Sequence, residues 1–81
     1  MKIRVKLFAA AKEMAGSDAL AIEVPDGARI ADVRQAVVRD WPALRTILLH
    51  SQWAVNAAFA TDETAITQQS EVALIPPVSG G

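Results

Sequence analysis

The sequence predicts an α+β fold, in which a mixed sheet of about four to five strands carries one main helix on one face. Three observations predict it. Apolar residues alternate with basic residues at the start of the chain, recur at helical spacing in the middle, and form a short continuous run near the end. The 81 residues are enough for one domain.

The first part of the chain alternates between strand and helix patterns. Residues 2–8 are predicted to form a strand because every second residue is apolar, and residues 9–15 a short helix that ends at Gly16. Residues 18–24 alternate in the same way and lead into a turn at residues 25–27.

The main helix is predicted to start near residue 30 and to end before Pro42, because the residue before a proline avoids helical backbone angles. Apolar residues recur in it at i, i+3, i+7 and i+11 and form a stripe along one face of the helix. We expect each residue of this stripe to lie in the core. The stripe consists of Ile30, Val33, Val37 and Trp41. Ala28 or Arg29 holds the N-cap position, and neither is a good capping residue.

The second half of the chain predicts two more strands. Residues 43–49 are ambiguous and allow a short helix, and residues 52–56 form the third predicted strand. The last strand, residues 71–75, is apolar on both faces, which is typical of a central strand covered by a helix on one side. The predicted order of elements is strand, strand, helix, strand, strand. With a right-handed crossover, this order is the outline of a β-grasp, the ubiquitin-like architecture.

Composition excludes several classes of function. The chain has no cysteine, which excludes disulfides and a cysteine nucleophile, and the single histidine, His50, cannot build a multi-histidine metal site. Eight Lys and Arg against nine Asp and Glu lack the basic excess of nucleic-acid binders. The longest apolar run has five residues, too few for a membrane span or a signal peptide. We therefore expect a cytoplasmic carrier or partner protein.

A tail is predicted to follow the domain. We expect residues 1–75 to form the β-grasp domain and residues 76–81 an extended C-terminal tail, because consecutive prolines cannot donate to a sheet ladder. Six residues at ~3.3–3.6 Å each project about 20 Å from the body. We assign positioning of the tail to Pro76, Pro77, Val78 and Ser79.

Gly80 and Gly81 indicate the chemistry of the tail. A carboxylate without a nearby Cβ can pass through a narrow channel, and an α-carboxyl group is ionised near neutral pH. The carboxylate of Gly81 can therefore attack the α-phosphate of ATP, and the acyl-adenylate can pass its acyl group to sulfur or to an amine. A frayed tail without function is the alternative.

Several segments resemble one family. The ending VALIPPVSGG, residues 72–81, is similar to that of the small, sulfur-carrying subunit of molybdopterin synthase, the molybdopterin converting factor subunit 1 family. The stretch VKLFAAAKEMAG at residues 5–16, the helix residues 31–34 and the pair at residues 55–56 resemble the same family. One departure lies at residues 67–71, where the family commonly has an acidic turn that contains a glycine.

The resemblance implies a sulfur carrier. A ubiquitin-activating-like adenylyltransferase would use ATP to activate the carboxylate of Gly81, and a sulfur donor system would convert it to a thiocarboxylate. The large subunit of molybdopterin synthase would then receive the tail, and two loaded carriers would give sulfur to cyclic pyranopterin monophosphate to form the molybdopterin dithiolene. The chain would be a non-catalytic subunit of a sulfurtransferase heteromer, with no bound cofactor and no metal.

Two other functions stay open from the sequence. One keeps the tail chemistry in another pathway: a sulfur carrier for thiamine, cysteine or tRNA thiolation, or a protein modifier that forms amide bonds to lysines. The other is a non-catalytic β-grasp interaction module whose tail is inert.

Further residues allow both a structural and a functional interpretation. Lys2, Arg4 and Lys6 form a basic row, which is either a solvated strand face or a docking patch for an acidic surface. We expect core packing for Phe8 and Phe59 in preference to an apolar docking surface.

Five more residues invite a functional interpretation. Trp53 suits either the core or an interface. His50 is expected in an ordinary loop, although Ser51 beside it suggests catalysis. Asp62 and Glu63 are expected in a solvated turn, although adjacent carboxylates can serve acid/base chemistry.

Overall fold

The fold is a five-stranded mixed sheet with helices on one face. A computed structural model describes residues 1–77. In chain order the elements are β1 (Lys2–Leu7), α1 (Ala9–Ala15), β2 (Ala19–Glu23), α2 (Ile30–Asp40), a 3₁₀ turn (Pro42–Leu44), α3 (Arg45–Leu48), β3 (Gln52–Val55), β4 (Ala58–Ala60) and β5 (Val72–Ile75). Within the described residues the longest helix, α2, has 11 residues, and no helix there has the length and apolar character needed to span a bilayer.

The strand order in the sheet is β2-β1-β5-β3-β4. Strands β1 and β5 run parallel, and the other three neighbouring pairs are antiparallel. The last strand in the sequence therefore lies in the middle of the sheet, as its apolar residues on both faces predict. This arrangement confirms the predicted β-grasp.

The core lies between the sheet and α2. Alternate residues of β1 face it, and Val5 and Leu7 are at most 2% exposed, whereas the basic residues between them face solvent. Helix α2 covers the sheet with Ile30, Val33 and Val37, which are fully buried. The apolar residues that recur every second position in the strand and every 3.6 positions in the helix thus pack against each other in one layer.

The two tryptophans have different environments. Trp53 on β3 is 5% exposed and belongs to the core. Trp41 is 36% exposed, so the prediction that it lies in the core was wrong. Helix α2 ends at Asp40 because Pro42 follows, and Trp41 has left the helical conformation, with φ of −134° and ψ of 66°. Its side chain therefore departs from the direction of the helical stripe.

Strand β4 is the element that the sequence pattern missed. Asn56 and Ala57 join it to β3 in a two-residue turn, and both have positive φ, 52° and 69°. Turns of this kind usually carry Asn-Gly or Asp-Gly, because glycine adopts positive φ at little cost. An alanine at the second position removes this signal from the sequence.

The N-terminus of α2 is capped by a distant segment. Residues 61–66, here called the strap, pass beside the first turn of the helix. The N–H of Ile30 donates to the carbonyl of Thr64 at 3.0 Å, and the N–H of Ala31 donates to the carbonyl of Asp62 at 3.1 Å. These bonds satisfy helix donors that have no intrahelical acceptor, which compensates for the poor N-cap residue.

Candidate functional site

The face of the sheet opposite α2 is exposed and carries the candidate site. The strand registers place four residues in one row across it, from β1 through β5 and β3 to β4. These are Lys6, Ala73, Ala54 and Phe59. Neighbouring strands lie about 4.8 Å apart, so the row spans roughly 14 Å. Small side chains occupy its middle and larger ones its two ends.

A hollow of about 350 Å³ opens over this row. Ala73 and Ala54 form its floor, and Phe8 and Phe59 border it with 46% and 76% of their surface exposed. The prediction that both phenylalanines pack in the core was wrong. Phe8 continues the outward half of the β1 alternation, and Phe59 pairs with Ala54, whose side chain points outward. Exposed aromatic residues of this kind are typical of protein interfaces.

The charged residues at this site are few. Lys6 and Glu71 lie at the edge of the hollow. Asn56 holds the backbone of Glu71 through two hydrogen bonds of 2.9 Å, since its N–H donates to the carbonyl of Glu71 and its Oδ1 accepts from the N–H of Glu71. The β3–β4 turn is thereby attached to the start of β5. Lys2 and Arg4 are exposed on the same face of the sheet, as the alternation predicts.

The segment predicted to form the tail, residues 76–81, follows directly on a strand that borders the hollow. Ile75 ends β5, pairs with Gln52 on β3 and lines the hollow. Pro76 is partly buried and Pro77 is exposed. The other residues assigned to the tail lie outside the described part of the chain, and the roles predicted for them stay predictions. These are Val78, Ser79, Gly80 and Gly81.

His50 and Ser51 form no catalytic pair. His50 is exposed in the loop before β3. The hydroxyl of Ser51 donates to the carbonyl of Ile47 at 2.6 Å, so it caps the end of α3. The expectation of an ordinary loop is confirmed.

Asp62 and Glu63 each face an arginine and not one another. The guanidinium of Arg34 donates two hydrogen bonds to the carboxylate of Asp62, one of them 2.9 Å long. This hydrogen bonding lowers the pKa of Asp62 and raises the pKa of Arg34. Glu63 lies 3.5 Å from Arg29 and is 83% exposed. This is the solvated turn that the sequence predicts, and within residues 1–77 no group of three potential ligands comes together to hold a metal ion.

Comparisons with known proteins agree with the fold and with the sequence pattern. The model of the ThiS family matches residues 5–81. The molybdopterin synthase sulfur carrier subunit of Chlamydomonas reinhardtii is 35% identical, and the alignment covers 100% of both chains. The protein of the same name from Arabidopsis thaliana is 32% identical over 100% of this chain and 84% of its own length.

Solved structures show the same architecture. The crystal structure of small archaeal modifier protein 1 from Haloferax volcanii superposes with a TM-score of 0.90 at 32% identity and covers 100% of both chains. A complex of subunits 1 and 2 of the molybdopterin-converting factor from Helicobacter pylori shares the fold, with a TM-score of 0.71 at 21% identity. From the match over residues 5–81 and the end-to-end similarity to sulfur carrier subunits, this chain belongs to the ThiS family.

Proposed function

We propose that this chain is the sulfur carrier subunit of molybdopterin synthase and that the carboxylate of Gly81 carries the sulfur. An adenylyltransferase partner joins this carboxylate to the α-phosphate of ATP and releases pyrophosphate. Sulfur from a donor system then displaces AMP and leaves a thiocarboxylate. Transfer of this sulfur to cyclic pyranopterin monophosphate, twice per product, forms the molybdopterin dithiolene.

One structural observation carries this proposal: the tail begins at the edge of an exposed apolar hollow. Ile75 belongs to both features, because it ends β5 and lines the hollow. A partner that covers Phe8 and Phe59 therefore lies next to the point where the tail leaves the sheet. Such a contact can hold the tail in the active site of the partner.

The partners follow from the same argument. No polar or charged side chain is buried within residues 1–77, so the described residues offer no enclosed catalytic group. We therefore assign the catalytic groups and the ATP site to partner proteins: the large subunit of molybdopterin synthase and an adenylyltransferase. The relatives support a subunit role, since they are named subunits and the Helicobacter pylori structure is a complex of two subunits.

A protein modifier is the second candidate. The similarity to small archaeal modifier protein 1 favours it, with 32% identity over the whole chain. In that case the activated carboxylate of Gly81 forms an amide bond with a lysine of a target protein. Both functions use the same activation step. They differ in the acceptor of the activated acyl group, which is sulfur in the carrier and a lysine amine in the modifier.

Intact-mass analysis tests the proposal. The chain is incubated with the adenylyltransferase of its own organism, ATP and a sulfide source. We expect a mass gain equal to the exchange of one oxygen for one sulfur, and the loaded chain should then convert cyclic pyranopterin monophosphate in the presence of the large subunit. A loaded chain that appears on lysines of other proteins and gives no dithiolene would favour the modifier.

Three variants serve as controls for this experiment. Deletion of Gly81, or one residue added after it, should abolish loading while the thermal melting curve stays unchanged. Removal of residues 76–81 should also leave the fold intact, because the ladder of β5 ends at Ile75. Full loading of the extended chain would overturn the proposal.

A further inference from the structure

Four cations near the N-terminus have no ion-pair partner among residues 1–77. Lys2, Arg4 and Lys6 project from β1, and Lys12 lies on α1; all four are exposed. No carboxylate oxygen of the described chain lies within 4.0 Å of their charged nitrogens. We call these four residues the cationic strip.

The helical side of the molecule is different. Three of its four arginines each pair with a carboxylate, Arg29 with Glu63, Arg34 with Asp62 and Arg39 with Asp40, and only Arg45 has no ion pair within the described residues. On the sheet side, the neighbouring strand β2 places alanines opposite two members of the strip, since Ala21 pairs with Arg4 and Ala19 with Lys6, while Glu23 lies opposite Lys2. Arg4 and Lys6 therefore have small, uncharged cross-strand neighbours on β2, and no cation of the strip forms an ion pair within the described residues.

The strip also borders a cleft that adjoins the apolar hollow and shares lining residues with it. Arg4, Lys6 and Lys12 line this cleft of about 350 Å³, together with the single carboxylate Asp18. Lys6 and Phe8 line both the cleft and the hollow. A partner seated on the hollow therefore extends over the strip.

We propose that the cationic strip binds an acidic surface on the protein that activates the tail, and that it speeds the encounter of the two proteins. This inference rests on the proposed function and adds the chemistry of the partner. The carboxylates of the partner face the strip while its apolar side chains enter the hollow. The Cα atoms of successive strip residues on β1 are about 6.7 Å apart, a spacing that suits carboxylates one helical turn or two strand residues apart.

Charge complementarity identifies a protein partner. The chain has a net charge of −1, so its positive charge is local, and a nucleic acid backbone would be repelled by the remaining surface. The adjoining hollow needs apolar side chains to fill it, and a phosphate backbone has none. An acidic protein surface with an apolar centre supplies both.

The test compares two triple variants with the same change in net charge. The strip variant is Lys2→Gln, Arg4→Gln, Lys12→Gln, which leaves every residue of the hollow in place. The control variant on the helical side is Arg29→Gln, Arg39→Gln, Arg45→Gln. The association rate constant with the adenylyltransferase is measured for each chain at about 50 mM and about 500 mM salt, since the higher concentration screens charges beyond a few ångströms.

We expect the strip variant to associate about tenfold more slowly than wild type at low salt, and this difference to shrink below about twofold at high salt. The control should stay within about twofold of wild type at both concentrations. Lys2→Arg, Lys12→Arg, which keeps the charges, should associate at the wild-type rate. If the strip variant fails to fold by circular dichroism, Arg4→Gln alone should still slow association about two- to threefold at low salt.

The outcomes separate this inference from the proposed function. A wild-type chain that the adenylyltransferase does not load overturns the proposed function, and the inference with it. A wild-type chain that is loaded normally, with strip and control variants that associate equally fast, overturns the inference alone. Displacement of the adenylyltransferase by a single-stranded oligonucleotide or by phosphatidylserine vesicles would assign the strip to a different class of partner and also overturn it.

Discussion

Single residues on the open face of the sheet determine the shape of the proposed docking surface. Ala73 and Ala54 occupy the two central strands, and their short side chains make the floor of the hollow. Phe8 and Phe59 stand exposed at its border. A larger residue at either alanine would fill the hollow without disturbing the core, because these side chains point away from α2.

Ala57 is a strained residue in the turn beside the site. Its φ of 69° lies in the left-handed region, which costs a residue with a Cβ about 1–2 kcal/mol, whereas glycine pays only in chain entropy. We expect Ala57→Gly to raise the free energy of unfolding by about 0.5–1 kcal/mol in urea denaturation. Ala58→Gly, one residue later within β4, is the control and should lower it. Equal destabilisation by both variants would contradict the strained turn.

At the scale of elements, the strap caps the N-terminus of α2. The helix lacks a Ser, Thr or Asp at its N-cap, and backbone carbonyls of residues 61–66 accept its first N–H groups instead. The pair of Arg34 and Asp62 adds a side-chain link one turn further along. The start of the main helix therefore depends on a segment more than 25 residues away in sequence.

This link predicts a pH dependence of stability. The pKa of Asp62 is lowered in the folded chain by the hydrogen bond from Arg34. Its contribution is therefore present above the ordinary pKa of 3.8 and is lost as the pH falls through the lower folded-state value. We expect Asp62→Asn to melt at a lower temperature than wild type at pH 7, and the gap to close near about pH 2.

Glu63→Gln is the matched control for Asp62→Asn. Its carboxylate is 83% exposed and lies 3.5 Å from Arg29, so little stability depends on it. We expect its melting temperature to follow that of wild type at both pH values, as measured by circular dichroism. A gap for Asp62→Asn that stays constant with pH would contradict the ion pair as its cause.

At the scale of the whole molecule, the two sides of the sheet differ in burial: one side packs in the core and the other is exposed. One side is covered by helices and carries the core, and the other is open and presents the hollow, the cationic strip and the base of the tail. A change on the open side should therefore alter partner binding without altering stability.

Two exposed side chains test this division. Phe59 on the open side is 76% exposed and Leu49 on the helical side 75%, so truncation of either should leave the melting temperature nearly unchanged. We expect Phe59→Ala to weaken binding to the adenylyltransferase by about 2 kcal/mol, roughly 30-fold in Kd. An aromatic residue at an interface is a typical hot spot. Leu49→Ala should bind like wild type in calorimetric titration. Equal affinities of the two variants would place the docking surface elsewhere.

Local patterns account for much of this architecture. The alternation in β1, the stripe of α2 and the left-handed Gly16 at the end of α1 are each visible in a few consecutive residues, because strand and helix periods act over short distances. The central place of β5 also follows from its own composition. Pro76 and the residues after it predict a tail by the same local logic, although only its first two residues are described.

The remaining features depend on which strands become neighbours. The alternation in β1 already places Phe8 on the side of the basic residues, whereas nothing in the chain near Phe59 indicates that it faces solvent; the register of β4 against β3 puts it there. The register of β3 against β5 aligns Ala73 with Ala54 to form the hollow. Periodicity thus specifies every strand but β4, together with the main helix, from their own residues. The proposed binding face, by contrast, arises from contacts between residues distant in sequence, which only the folded sheet brings together.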